Sequence, residues 1–134
     1  MNWQLYLLIM AGGAAGSGAR YFCSGLVADL AGPEFPWGTI VVNVAGSFLI
    51  GFFNTVSGPD GRLFVGTEAR QFVMLGILGG YTTFSSFSLQ TLNLMREGEW
   101  LPASANIGLS FTLCLLAVWL GHVAAAAFNQ LRGG

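Results

Sequence analysis

The chain of 134 residues contains no lysine, and its five basic residues are all arginines. Six acids leave a formal net charge of −1, with only 8% of residues charged. Without a basic stripe there is no footprint for nucleic acid, and nothing holds the chain electrostatically to an anionic membrane surface. Histidine occurs once, as His122, and the two cysteines, Cys23 and Cys114, stand far apart without metal-ligand spacing. Both thiols therefore read as free and buried. No nucleophile–base pair, second histidine, metal motif or nucleotide motif is present, which excludes an enzyme built on any of them. Acids are also missing from the long apolar runs: Asp29, Glu34, Asp60, Glu68, Glu97 and Glu99 all fall in or beside short connectors.

Apolar residues are what remain. They form 54% of the chain, and the mean hydropathy is +0.65. A helix needs roughly 20 mostly apolar residues to span a bilayer. Four segments meet that length: about Trp3–Ala28, Trp37–Ser57, Ala69–Met95 and Pro102–Phe128. The expected fold is an all-α membrane protein of four transmembrane helices, forming a single domain over 1–134. The first apolar run lacks a basic n-region and reads as a retained helix, not a signal peptide. That segment is dense in small residues from Ala11 to Ala19, which let helix backbones approach closely in lipid.

The stretch from Gly79 to Ser88, Gly-Gly-Tyr-Thr-Thr-Phe-Ser-Ser-Phe-Ser, sits inside the third segment yet is rich in glycine and hydroxyls. Loosened backbone at membrane depth is tolerated only where protein or a wet cavity supplies partners. The sequence predicts a third helix broken near mid-membrane. Gly79-Gly80 would end one half in a φ > 0 geometry, and Thr82 or Thr83 would cap the next. Carbonyls and N–H groups freed in this way are how discontinuous helices build ion sites.

Other polar groups fall at helical spacing. Thr39, Asn43 and Ser47 lie at i, i+4 and i+8, a stripe that serves either as interhelical glue or as a set of donors. Asn43 stands out because its amide carries two N–H donors. Phe84 and Phe87, at i and i+3, share a side, and an aromatic ring edge is electropositive without being a full cation. Ser85, Ser88 and Thr91 recur on a neighbouring face, free either to donate outward or to back-bond to their own helix. Asn106, Ser110 and Cys114 make a further i, i+4, i+8 set. Arg20, about two turns from the end of segment one, either snorkels or faces a cavity. Asn54 and His122 read as interfacial.

These residues carry a resemblance. Gly-Gly-x-Thr-Thr-Phe-Ser-x-Phe-Ser from Gly79 resembles the signature of the Fluc (CrcB-like) fluoride channel family. Gly38 to Gly51, containing Asn-x-x-Gly-Ser, is similar to that family's second helix, and Gly12 to Arg20 to its first. The likeness covers essentially the whole chain. It implies a fluoride-selective anion channel that lets cytoplasmic fluoride leave the cell passively, in an antiparallel (dual-topology) homodimer. It further implies a pore of Asn43, Phe84 and Phe87, with Thr39, Ser85, Ser88 and Ser110 as hydroxyl track and Arg20 in a vestibule. A structural sodium ion would sit on the dimer axis, held by the backbone carbonyls of Gly79 and Thr82. The implied setting is the bilayer of a plasma membrane, the bacterial inner membrane in particular. The chain departs from the family in Gln90, where many relatives carry glutamate, and in Asn106 and Cys114.

Arg62, Arg70 and Arg132 fall on one side of the expected topology, and Arg96, with Arg20 if it snorkels that way, on the other. So small a bias leaves orientation loosely fixed and suits dual topology. Two alternatives stand beside the channel. A proton-coupled four-helix exporter of small molecules, also often dual-topology, needs an intramembrane carboxylate, which this chain lacks. A non-transporting assembly subunit accounts for the small-residue first helix but not for aligned polar groups on three others.

Overall fold

A computed structural model describes residues 2–133; the side chain of Arg132 lies outside the described residues. Helix α1 (Trp3–Ala31) is capped by Asn2, whose side chain accepts from the Leu5 N–H, and it ends at Gly32. There the backbone turns to φ 89°, a geometry that favours glycine. Helix α2 (Trp37–Val56) starts once Pro33 and Pro36 have been passed. A third length runs from Thr67 to Arg96 in pieces: α3 (Thr67–Gln71), a π-helical stretch (Phe72–Leu78), α4 (Gly79–Tyr81), two extended residues, and α5 (Phe84–Arg96). Gly98, at φ 78°, turns the chain into α6 (Trp100–Gly133).

Every described element is helical. Among the described residues, three lengths are long and apolar enough to cross a membrane: Trp37–Val56, Thr67–Arg96 and Trp100–Leu131. Helix α1 has the reach, since 29 residues extend about 43 Å. Arg20 and its glycines hold its hydropathy below that of the other three. The break falls at Thr82-Thr83, the middle of the 30-residue Thr67–Arg96 length.

Glycines set how near the helices come. A Cβ on Gly80 would stand 2.7 Å from the Gly13 carbonyl oxygen, and one on Gly12 would stand 2.9 Å from that of Phe72. On Gly16 it would run into the carbonyl of Ile77. The small residues of α1 thus form a seam against the π-helical stretch and α4, bringing backbone onto backbone. The same device joins α2 to α6, where Gly51 meets the Val118 carbonyl and Gly121 that of Phe48.

Side chains tie down one end. Arg70 donates from Nε to Ser57 Oγ (3.1 Å) and from Nη2 to the carbonyl and side-chain oxygens of Asn54. Asn129 accepts from the Arg62 N–H (2.9 Å), and the Arg62 guanidinium lies 4.3 Å from the centre of the Phe128 ring. His122 Nδ1 pairs with Thr55 Oγ1 at 2.7 Å. Cys23 and Cys114 are free thiols as expected, but both are half-buried and not buried. The outward surface carries large apolar side chains, Trp3, Tyr21, Leu101 and Leu115 among them, as a lipid-facing surface does.

Candidate functional site: a neutral cavity at the helix break

The break is built by three side chains that take over helical hydrogen bonds. In an unbroken helix the Thr83 N–H would bond to the Gly79 carbonyl. Here it donates to Asn43 Oδ1 (2.7 Å), while Asn43 Nδ2 donates back to the Thr83 carbonyl (3.0 Å). The Ser86 N–H, due to the Thr82 carbonyl, instead meets Thr83 Oγ1 at 3.1 Å, an N-cap bond that starts α5. The Gly80 carbonyl, due to Phe84, accepts from Arg20 Nε at 3.1 Å. The carbonyls of Gly79 and Thr82 are therefore left without their helical donors, and no other hydrogen bond reaches them among the described residues.

One expectation changes at this point, and one open alternative narrows. Gly79-Gly80 do not terminate the half-helix: Gly79 keeps helical angles (φ −64°, ψ −36°), and only Gly32 and Gly98 have positive φ among the described residues. Gly80 is needed for its closeness to Gly13, and the break comes two residues later. Arg20 does not snorkel. It turns inward, half-buried, onto the backbone of the break.

Below the break lies a cavity of about 300 Å³. Asn43 and Ser47 line it from α2, Gly79, Thr82, Phe84 and Phe87 from the broken length, and Ser110, Phe111 and Cys114 from α6. The Phe84 and Phe87 rings are 5.3 Å apart, and Phe111 meets Phe87 edge-on at 5.7 Å and 82°. Phe87 is 7% exposed, whereas Phe84 is 69% exposed within the single chain. Among the described residues, no carboxylate, lysine or arginine contributes to the lining. What the cavity offers an ion is amide and hydroxyl dipoles and aromatic edges.

Of the residues singled out in the sequence, Asn43, Phe84, Phe87, Ser110, Gly79 and Thr82 converge on this one cavity, with Ser47, Thr83 and Cys114 beside them. Thr39 is buried one turn away from it. Ser85 and Ser88 are exposed outside it; Ser88 back-bonds to the Phe84 carbonyl (3.0 Å), and Ser85 lies 3.4 Å from Thr83 Oγ1. Thr91 likewise back-bonds, to Phe87. Sequence reasoning missed the part played by Thr83, whose backbone is Asn43's partner, and the contact of Phe111 with Phe87. A helix break opposite an asparagine on a neighbouring span is the signal that would have indicated the first.

The chain matches the model of the family described as CrcB-like protein, Camphor Resistance (CrcB), over residues 7–122. It is 61% identical to the "Fluoride-specific ion channel FluC" of Methylocella silvestris over 96% of this chain and 98% of that protein. It is also 61% identical to the protein of that name from Opitutus terrae, over 97% and 98% of the two chains. A third, from Rhodospirillum rubrum, is 58% identical over 93% and 97%.

Proposed function

The chain belongs to the CrcB-like family, and on that premise we propose that it is a fluoride-specific ion channel set in a membrane, a pore and not an enzyme. The observation that carries the mechanism is the convergence of Asn43, Phe84, Phe87 and Ser110 on one cavity without a fixed charge. A small anion entering it sheds water and gains the spare N–H of Asn43 and the electropositive ring edges. Each attraction is partial, so the ion is held well enough to enter and weakly enough to leave. Arg20, beside the break, adds a positive potential near the path without a place in the cavity wall.

Several features support a pore completed by a second copy. Phe84, at the cavity mouth, is exposed in one chain, and so are Ser85 and Ser88 on the same helix. The carbonyls of Gly79 and Thr82, stripped of their helical donors, fit a hard cation such as sodium. A second copy would bring two more, with the ion shared on the two-fold axis. When bound, sodium would supply a fixed charge that joins the two breaks. The weak arginine bias supports opposite orientations of the two copies, with α1 as the fourth span in each. The bacterial sources of the relatives support a multi-pass protein of the inner membrane.

The test is efflux from liposomes holding the purified chain, read with a fluoride electrode beside chloride release from matched vesicles. Rapid fluoride release with little chloride release is expected, and it should be lost in Phe84→Ile. Folded protein that releases no fluoride would remove the channel reading; equal release of both ions would remove the selectivity. Reconstitution with a large organic cation in place of sodium is expected to lower the melting temperature of the assembly. An unchanged melting curve would remove the sodium.

A further inference from the structure

Behind the cavity wall, α5 and α6 are joined by a chain of polar side chains of which Ser110 alone lines the cavity. Asn106 is 1% exposed and does not line the cavity; Ser110, one turn on, does. Ser110 donates its hydroxyl to Asn106 Oδ1 at 3.3 Å. Asn106 Nδ2 donates to Thr91 Oγ1 at 2.9 Å, and Thr91 donates to the Phe87 carbonyl at 2.8 Å. A serine has one proton to give. In this arrangement it is directed away from the cavity, so Ser110 shows a passing anion only oxygen lone pairs.

We propose that Asn106 is a positioning residue for anion passage, its amide turning over to release the Ser110 proton to the anion and turning back when the anion leaves. This rests on the channel reading above. Rotating the amide exchanges Oδ1 and Nδ2. Nδ2 then donates to Ser110 Oγ, Thr91 swings its proton from the Phe87 carbonyl to Asn106 Oδ1, and the Ser110 O–H points into the cavity.

The count of bonds decides that the turn is feasible. Before it, the three side chains make three hydrogen bonds; after it, they make two among themselves and one to the anion. The Phe87 carbonyl keeps the backbone N–H of Thr91, its partner in α5. No buried polar group is orphaned in either arrangement, so neither incurs the penalty of an unsatisfied group. A hydroxyl that accepts from an amide is also a stronger donor in its turn, because hydrogen bonds in a row polarise one another. Without Asn106, Ser110 would back-bond to the carbonyl of its own helix, and its proton would stay withdrawn.

The experiment uses the full chain in liposomes and initial fluoride efflux rates, with folding followed by gel filtration and thermal melting. Ser110→Ala and Asn106→Leu are each expected to slow efflux about tenfold, the worth of one hydrogen bond to a charged group. The double variant should be no slower than either single one. Thr91→Val, which keeps side-chain shape, should slow efflux several-fold alone and have no effect in the Ser110→Ala background. It carries the test if Asn106→Leu does not fold. A wild-type rate in Asn106→Leu overturns the proposal, as do losses that multiply in the double variants, which is what a purely structural role would give. Folded wild-type protein without fluoride efflux overturns the channel reading instead.

Discussion

Asn43 is the residue on which the break depends, and its replacement separates two roles that one side chain combines. Leucine has nearly the same shape and none of the polarity. Asn43→Leu removes two hydrogen bonds, at 2.7 and 3.0 Å, and leaves the half-buried Thr83 N–H without its acceptor. Two net bonds of about 1 kcal/mol each, with part of the cost of an unsatisfied donor, give roughly 2–4 kcal/mol. Part of this is recoverable, because the freed N–H lies one helical turn from the Gly79 carbonyl and can close the helix over the break. Asn43→Leu should therefore lose efflux altogether while losing only part of that stability. Asn43→Asp behaves differently. It keeps the acceptor for Thr83, so the break persists, but it sets a carboxylate in the cavity wall. Two like charges about 4 Å apart at an effective dielectric near 20 repel by about 4 kcal/mol, which is roughly a thousandfold in rate. The assay is fluoride efflux from liposomes alongside denaturation in detergent. Asn43→Leu passing fluoride at the wild-type rate would refute the view that this amide holds the break open.

The seam of α1 gives a second expectation. Gly80→Ala and Gly16→Ala place a methyl against the carbonyls of Gly13 and Ile77, so each should lower stability by about 1–3 kcal/mol in thermal melts. Gly18→Ala and Gly25→Ala, where a Cβ meets nothing within 4 Å, should leave it unchanged or raise it by up to about 1 kcal/mol, alanine being the better helix former. Phe87→Ala, at a ring 7% exposed, should cost about 3–5 kcal/mol, whereas Phe84→Ala, at a ring 69% exposed in the single chain, should cost less and yet stop efflux. Arg20→Met should slow efflux most at low ionic strength, with the difference shrinking as salt rises above about 0.1 M; a salt-independent effect would indicate a role at the break alone.

Hydropathy made the long helices legible to within a few residues, because span length and apolar content are properties of a segment by itself. The break was legible as a place but not as a geometry. Gly79-Gly80 reads equally well as a helix end and as a close-packing pair, and the choice lies with Gly13, which is 67 residues upstream of Gly80. Asn43 was legible as important but was read as a donor to an ion, since its partner is backbone, and backbone has no sequence signature. Arg20 was ambiguous for the same reason: the Gly80 carbonyl is available to it only because Phe84 no longer claims it. The back-bonding of Ser88 and Thr91 was foreseen as one of two options. Their helix settled it by leaving the hydroxyls close to carbonyls one turn behind.

The uncharged lining has a consequence for how the protein responds to membrane voltage. One elementary charge moved through 100 mV gains about 2.3 kcal/mol, enough to drive a gate if the wall carried charges that could move. The cavity wall has only dipoles, with the thiol of Cys114 as its one titratable member. The field then has nothing to pull on there except the ion in transit. Current through this protein should scale with driving force in a straight line and keep flowing after a voltage step, as through a simple resistor. Relaxation after such a step would point to moving charge elsewhere, with Arg20 the first place to look.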